Sequence, residues 1–523
     1  MVDLPIHAID LSIIALYFAV VLFIGFRVAG ETKTIEDIAV AGRRLGWLPV
    51  GLSLFASNIS STTLIGLAGA AYVWGIAVAN YEWMAALILV FFAIFFIPYY
   101  QRSRILTVPE LLERRFDRRS RLYFSGLTLV SNIVVDTAGS LFAGAVVLQL
   151  FFPDLDIVTT CIVLALVAGL YTAAGGLRAV VYTDMIQAVV LFMGSCALSY
   201  FTFEKVGFSW ESLTAATAPE KLSLMLPLDD PNLPWLGTLI GVPVLGFYFW
   251  CTNQFIVQRV LGARSVDHAR WGAMLAGLLK LTVLFIMVLP GVAAAVFLPD
   301  LENGDQVFPT LVIELLPIGL TGLVLAGLVA AIMSSIDSTL NSAATLLTLD
   351  FIKPRYPTMT PETTARVGRI AIGFFMILAA SFAPIIGGFQ GLFHYLQTAL
   401  AFLVPPVVAL FVLGLFWRRA SATGAIVSLG ATHAVSAMLF ALYFTETLRL
   451  HFTIVAGILF LISCVIFVVA SLLSAPPSDE QIEVFTYRRS MLRGDDKQPL
   501  WRDYRLHAAV LVALTAALVI GFW

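Results

Sequence analysis

The feature that most limits what this chain can become is a run of about twenty apolar residues, recurring with only short polar breaks along all 523 residues. Each run is long enough to cross the roughly 30 Å hydrocarbon core of a bilayer as a helix. The runs fall at 6–26, 47–71, 75–98, 122–151, 157–173, 178–202, 236–257, 271–297, 317–349, 367–385, 389–416, 423–444, 452–473 and 506–522, which makes fourteen. They are apolar on every face, whereas barrel strands would alternate apolar and polar over about ten residues, so a β-barrel is excluded. At 60% hydrophobic and 12% charged, the chain is too apolar to be several soluble domains, and it reads as one membrane domain spanning 1–523.

The basic residues give the orientation. With the N-terminus outside and fourteen crossings, all of the 31 Lys and Arg fall on one side except Lys205, Lys221, Arg449 and the intramembrane Lys280. The positive-inside rule then places both termini on the extracytoplasmic face of a plasma or inner membrane. Basic loops so arranged are a topology signal and imply no nucleic-acid partner; membrane lipid and a small solute are the partners expected, and nothing in the pattern specifies an oligomer. The first run carries Asp3 and Asp10 and lacks the basic leader and small-residue cleavage site of a signal peptide, so it is expected to be retained. The four cysteines and six histidines are scattered without metal-type spacing.

Two runs, five apart, are interrupted. The second holds Ala56-Ser57-Asn58-Ile59-Ser60-Ser61-Thr62-Thr63, and the seventh holds Gly241, Pro243 and Gly246 ahead of Phe247-Tyr248-Phe249-Trp250 and then Thr252-Asn253-Gln254. Both are expected to unwind there, and unwound backbone at membrane depth is tolerated where it lines a cavity and offers free carbonyls to a cation. Intramembrane ionisable residues cost roughly 2.5–3.5 kcal/mol each on insertion scales, which singles out Glu82, Asp136, Asp184, Lys280 and Asp337, with Glu82 and Lys280 a natural pair. In the ninth run Ala331, Ser334, Ser335 and Ser338 share one helical face. Two hydroxyls there, with carbonyls from the second run and charge from Asp184 or Asp337, suit a hard monovalent cation.

Six ordered segments, SLFASNISSTTLIG at 53–66, YEWM at 81–84, GGLRAVVYTDMIQ at 175–187, NQFIVQRVLGARS at 253–265, AAIMSSIDSTLNSAATLLTLDF at 330–351 and VLGLFWRR at 412–419, resemble the sodium/solute symporter family, most of all its bacterial sodium/galactose branch. The resemblance implies an all-α, leucine-transporter-type core of two inverted five-helix repeats (46–202 and 235–417), a leading helix (1–30) and three trailing helices (423–523). It also implies a co-transported sodium ion and no organic cofactor. The main sodium site maps to the carbonyls of Ala56, Ile59 and Ala331 and the hydroxyls of Ser334 and Ser335. A second sodium, held by some members, maps to Asp184, Ser334, Asp337 and Ser338, with Asp337 in place of a usual hydroxyl.

The solute site of that branch maps to Glu82, Asp136, Lys280 and Gln397, under a lid of Leu67, Tyr81 and Phe393. Asp136 replaces an asparagine, Thr63 a glutamine, Ala85 a serine, Gly246 an asparagine and Phe249 the tyrosine that stacks beneath the sugar. The resemblance therefore implies sodium-coupled import of a small neutral polar solute such as a sugar or polyol. An amino acid, carboxylate or cation substrate, or a sensor built on the same fold, are the alternatives. No nucleophile elbow, phosphate loop or channel-filter pattern is present, and the longest loop, 474–505, is too short for a signalling domain.

Overall fold

The computed structural model describes residues 7–29, 40–151, 154–172, 177–299, 301, 303–389, 391–492 and 499–523. Asp3, Lys33, Gly175, Gly176, Arg493 and Lys497 lie outside the described residues. Helix dominates, as a backbone sealed from water requires. No strand forms among the described residues, and two isolated bridges, Leu45 with Ala263 and Leu226 with Pro234, only tie loops.

Helix α1 (Ala8–Ala29) leads. The second run splits into α2 (Trp47–Asn58) and α3 (Ser61–Trp74), and α4 (Ala79–Phe91) follows a 3-10 turn. Helices α5 (Arg118–Val130) and α6 (Ala138–Phe151) form one span through a π-turn at Ser131–Thr137. Then come α7 (Ile157–Thr172) and α8 (Leu177–Lys205). The seventh run gives α9 (Trp235–Phe247), a π-turn at Tyr248–Thr252, and α10 (Gln254–Leu261). Beyond it lie α11 (Val266–Val283), α12 (Leu320–Leu346), α13 (Pro361–Phe382), α14 (Leu392–Leu403) and α15 (Pro405–Phe416). Helices α16 (Ala422–Phe444), α17 (Phe452–Leu472) and α18 (Tyr504–Gly521) close the chain.

Among the described residues, ten helices are long and apolar enough to cross a membrane, eleven if α14 and α15, bent by 54°, make one span; Ala8–Val21 and Ile157–Leu166 are shorter apolar helices. One of the ten, Thr62–Ser103, is 42 residues long. At about 1.5 Å per residue that is roughly twice the bilayer core, so it serves as two crossings. The chain reverses at Gly75, whose φ of +81° ends α3.

The second run breaks where the sequence expects it. The seventh breaks too, but at the polar end of its interruption, Asn253, while its glycines and proline stay helical. Pro243 sits inside a continuous α9, and the chain leaves the helix only at Asn253, with ψ of 127°; its side chain accepts from the Phe255 N–H at 3.2 Å and caps α10. The glycine there serves close packing instead of unwinding. A Cβ on Gly241 would lie 2.0 Å from the Thr453 carbonyl oxygen, so α9 presses its backbone onto α17.

The same device fixes α2 on α11. A Cβ on Gly51 would stand 2.9 Å from the Gly272 carbonyl oxygen, and one on Gly272 would meet Val50. Helix α2 also packs on α8, and α12 lies against α8, α1 and the Ser131–Thr137 π-turn. These contacts bring the first break, Asp184 of α8 and the serine face of α12 to one place.

Candidate functional site

A cavity of about 130 Å³ lies where the α2–α3 break, α4, both π-turns, α11, α12 and α14 converge. At a water's share of about 30 Å³ that is room for about four waters, close to the roughly 150 Å³ that accepts a benzene-sized ring. Ala56, Thr63, Tyr81, Glu82, Asp136, Phe249, Lys280, Ala331, Ser334, Ser335, Ser338, Phe393 and Gln397 all line it, so most of the residues singled out in sequence meet here. Asp136 and Phe249 are carried on the two π-turns, a geometry that re-aims side chains within a continuous helix.

On one wall the helix backbone is interrupted. Helix α2 stops at Asn58, Ile59 takes φ −80° and ψ 61°, and Ser60 is extended with ψ 173°. Among the described residues, no backbone N–H bonds the carbonyls of Ala56 and Ile59. Ile59 is buried and does not line the cavity. Across from the break stand the hydroxyls of Ser334 and Ser335 on α12, a set of hard oxygens suited to sodium.

Behind this wall Asp184 is almost fully buried and fully engaged. It accepts from Ser53 Oγ at 2.7 Å, Ser334 Oγ at 2.7 Å and Arg259 Nη2 at 3.0 Å. Arg259 has no exposed surface, takes Ser53 Oγ at 2.8 Å through Nε, and donates to Ser338 Oγ at 3.4 Å. Its guanidinium therefore stands between Asp184 and Ser338. Asp337 is buried nearby and has a partner of its own. Arg259, Arg115 and Arg270, counted among the basic residues of the loops, are buried in the protein instead of solvated. Arg115 donates to the Gly414 carbonyl, and Arg270 stacks on Tyr504 at 3.8 Å, both buried. A short helix directly after a polar break was the available signal for Arg259.

On the opposite wall Lys280 of α11, with no exposed surface, pairs with Glu82 of α4 and donates to Asn58 Oδ1. A buried ion pair is tolerable only when its spare donors and acceptors are met, and Asn58 meets one. Asn58 was not selected from sequence; its place inside the polar run of the break was the clue. Among the described residues Asp136 Oδ2 has no hydrogen-bond partner, and Thr63 Oγ1 donates to the Asn58 carbonyl. Tyr81 and Phe393, both lining the cavity, meet edge-to-face, 5.1 Å apart at 86°, with Trp74 5.8 Å from Phe393. Leu67 is fully buried and does not line the cavity.

Broken helices aimed at a polar midmembrane cavity, with oxygens for a cation beside it, define a secondary transporter. The comparisons agree. The profile of the sodium:solute symporter family matches residues 39–431. A sodium/glucose cotransporter of Vibrio parahaemolyticus is 33% identical over 98% of both chains. Sodium/glucose cotransporter 1 of Oryctolagus cuniculus is 34% identical over 90% of this chain and 80% of its own. The sodium/myo-inositol cotransporter of Mus musculus is 33% identical over 92% and 76%. Among solved structures, a Na+-coupled sialic acid symporter in a substrate-bound outward-open state aligns with TM-score 0.76 at 24% identity, covering 90% of this chain and 99% of that one. The nucleobase-cation-symport-1 transporter Mhp1 aligns with TM-score 0.55 at 14% identity, over 87% and 99%. The chain belongs to the sodium:solute symporter family. It is an all-helical membrane transporter of the leucine-transporter fold that couples a small solute to sodium, and not an enzyme.

Proposed function

We propose that the chain imports a neutral polyhydroxylated solute, a sugar or an inositol-like polyol, together with one sodium ion by alternating access. The observation that carries the reading is the mixture of groups around the cavity: acceptors from Glu82 and Asp136, donors from Lys280, both from Gln397, the Phe249 ring as a floor, and no arginine among the described lining residues. Several adjacent hydroxyls want such a mixture, whereas a carboxylate would want an arginine fork. The names of the relatives, glucose and myo-inositol cotransporters, support the same class.

In this reading the sodium ion is held by the carbonyls of Ala56, Ile59 and Ala331 and the hydroxyls of Ser334 and Ser335. The second position at Asp184, Asp337 and Ser338 stays without sodium, because the Arg259 guanidinium already supplies its positive charge. Tyr81 and Phe393 close the outer end, with Leu67 packed behind them. The inverted repeats are 46–202 and 235–417, flanked by 1–30 and 423–523. Both termini face outward from a plasma or inner membrane, as the basic loops indicate.

Asp136, with Oδ2 unpaired among the described residues, favours a small cation as the second reading. Uptake of radiolabelled glucose, galactose, myo-inositol, choline and amino acids into proteoliposomes, with and without an inward sodium gradient, tests both. Sodium-dependent uptake of a sugar or inositol is expected. Block by choline or amino acids with no effect of polyols, or full uptake driven by a pH gradient without sodium, overturns the assignment.

A further inference from the structure

Away from the transport cavity, a second pocket of about 740 Å³ opens between α11, α18 and the first residue of α2. Its chemistry is graded along its length. At the rim sit Trp47, Trp271 and Trp501 with Arg264 and Arg502; one and two turns deeper the walls become Leu275, Leu278, Val510 and Leu511. The walls are open to the side: Leu278 is 45% exposed and Val510 49%. Tryptophan at the rim and aliphatic walls below are the two halves of a headgroup–acyl boundary.

The rim cations are available. Among the described residues neither Arg264 nor Arg502 has an ion-pair partner, while the adjacent Asp503 is taken by Arg505 at 2.7 Å. The Arg502 guanidinium lies 4.5 Å from the Trp501 ring centre, and the Arg502 carbonyl accepts from Trp271 Nε1 at 2.8 Å, so the rim is preformed. The Trp47 backbone N–H, at the start of the inner half-helix α2, donates to His268 Nδ1 at 3.1 Å. An occupant of this pocket touches the element that begins the broken span.

We infer that this pocket is a binding site for one anionic phospholipid, its phosphate held between Arg264 and Arg502 and an acyl chain laid along Leu275, Leu278 and Val510. Basic pockets between membrane helices at the cytoplasmic side recognise such headgroups by charge. The assignment to the cytoplasmic leaflet rests on the orientation proposed above; the binding does not.

The test is native mass spectrometry of the full chain, delipidated in detergent and offered phosphatidylglycerol or phosphatidylcholine without solute or sodium. One phosphatidylglycerol per chain is expected to be retained. Two cations near an anionic headgroup, each worth about fivefold, predict a loss of about twenty-five-fold in the R264Q/R502Q variant. Leu278→Trp, which fills the groove and leaves the cations, is expected to lose the lipid too, and R449Q on the far side to keep it. Equal retention of both lipids, phosphatidylglycerol binding unchanged in R264Q/R502Q, or displacement by inorganic phosphate alone overturns the inference. Detergent has no leaflets and the assay has no solute, so its outcome is independent of the transport reading.

Discussion

Replacing Lys280 by Met swaps an ammonium for an apolar chain of similar length and leaves the Glu82 carboxylate, 7% exposed at the side chain, without its partner. Breaking a buried pair on one side costs about 3–5 kcal/mol, whereas removing both charges is close to neutral. Denaturant titration in micelles should therefore show K280M destabilised by about 3 kcal/mol or more, and E82Q/K280M recovering at least about 2 kcal/mol of it. Uptake separates structure from binding. If the pair also meets solute hydroxyls, the double variant, though folded, loses charge-assisted hydrogen bonds of roughly 1.5–3 kcal/mol each and binds solute ten- to a hundredfold more weakly. Destabilisation of K280M below about 1 kcal/mol refutes the energetic argument. Parental solute affinity in E82Q/K280M refutes the binding role and leaves the pair purely structural.

Ser334→Ala and Ser335→Ala each remove a hydroxyl from the proposed ion shell, and the sodium concentration for half-maximal uptake should rise roughly tenfold; unchanged activation curves in both would assign that face to packing. With Arg259 in the second position, one charge should move per solute, and at 100 mV that charge supports roughly a fiftyfold solute gradient; a measured ratio of two would place a second sodium beside Asp184. Asp305, in the short turn outside the spans, accepts the Leu392 N–H at 2.9 Å, and burial pushes its carboxyl from 3.8 up to about 6 against that bond. The native state thus keeps a proton that the unfolded chain has released between pH 3.8 and about 6, so this group's contribution falls as pH rises through that window. The melting advantage of D305N over the parent should grow from pH 4 to pH 7, and a pH-independent difference would contradict this account.

Hydropathy alone exposed the apolar helices, because a helix in lipid must be apolar on every face, though not their count: ten or eleven of the described helices are long enough to cross. The first break was visible because a run from Ser57 to Thr63 has no place facing lipid, and the serine face of α12 because its spacing is helical. What failed to show were the outcomes set by neighbours across the fold. Gly241 and Pro243 read as part of the break, yet the chain stays helical through both, with Thr453 of α17 pressed against Gly241. Arg259 looks like one more loop cation, since only the fold brings Asp184, 75 residues away, to its guanidinium. Asn58 reads as a polar break residue, and its bond to Lys280 joins positions 222 residues apart.

The π-turns at Ser131–Thr137 and Tyr248–Thr252 each hold one more residue than an α-helical turn would. Deleting a single residue in either would restore ordinary helix and re-aim the side chains of that turn, Asp136 or Phe249 among them, while the helices on each side keep their faces. Substrate choice in a chain built this way is thus open to change by length as well as by substitution, and an insertion or deletion of one codon becomes a route between solutes that point mutation would reach only in several steps.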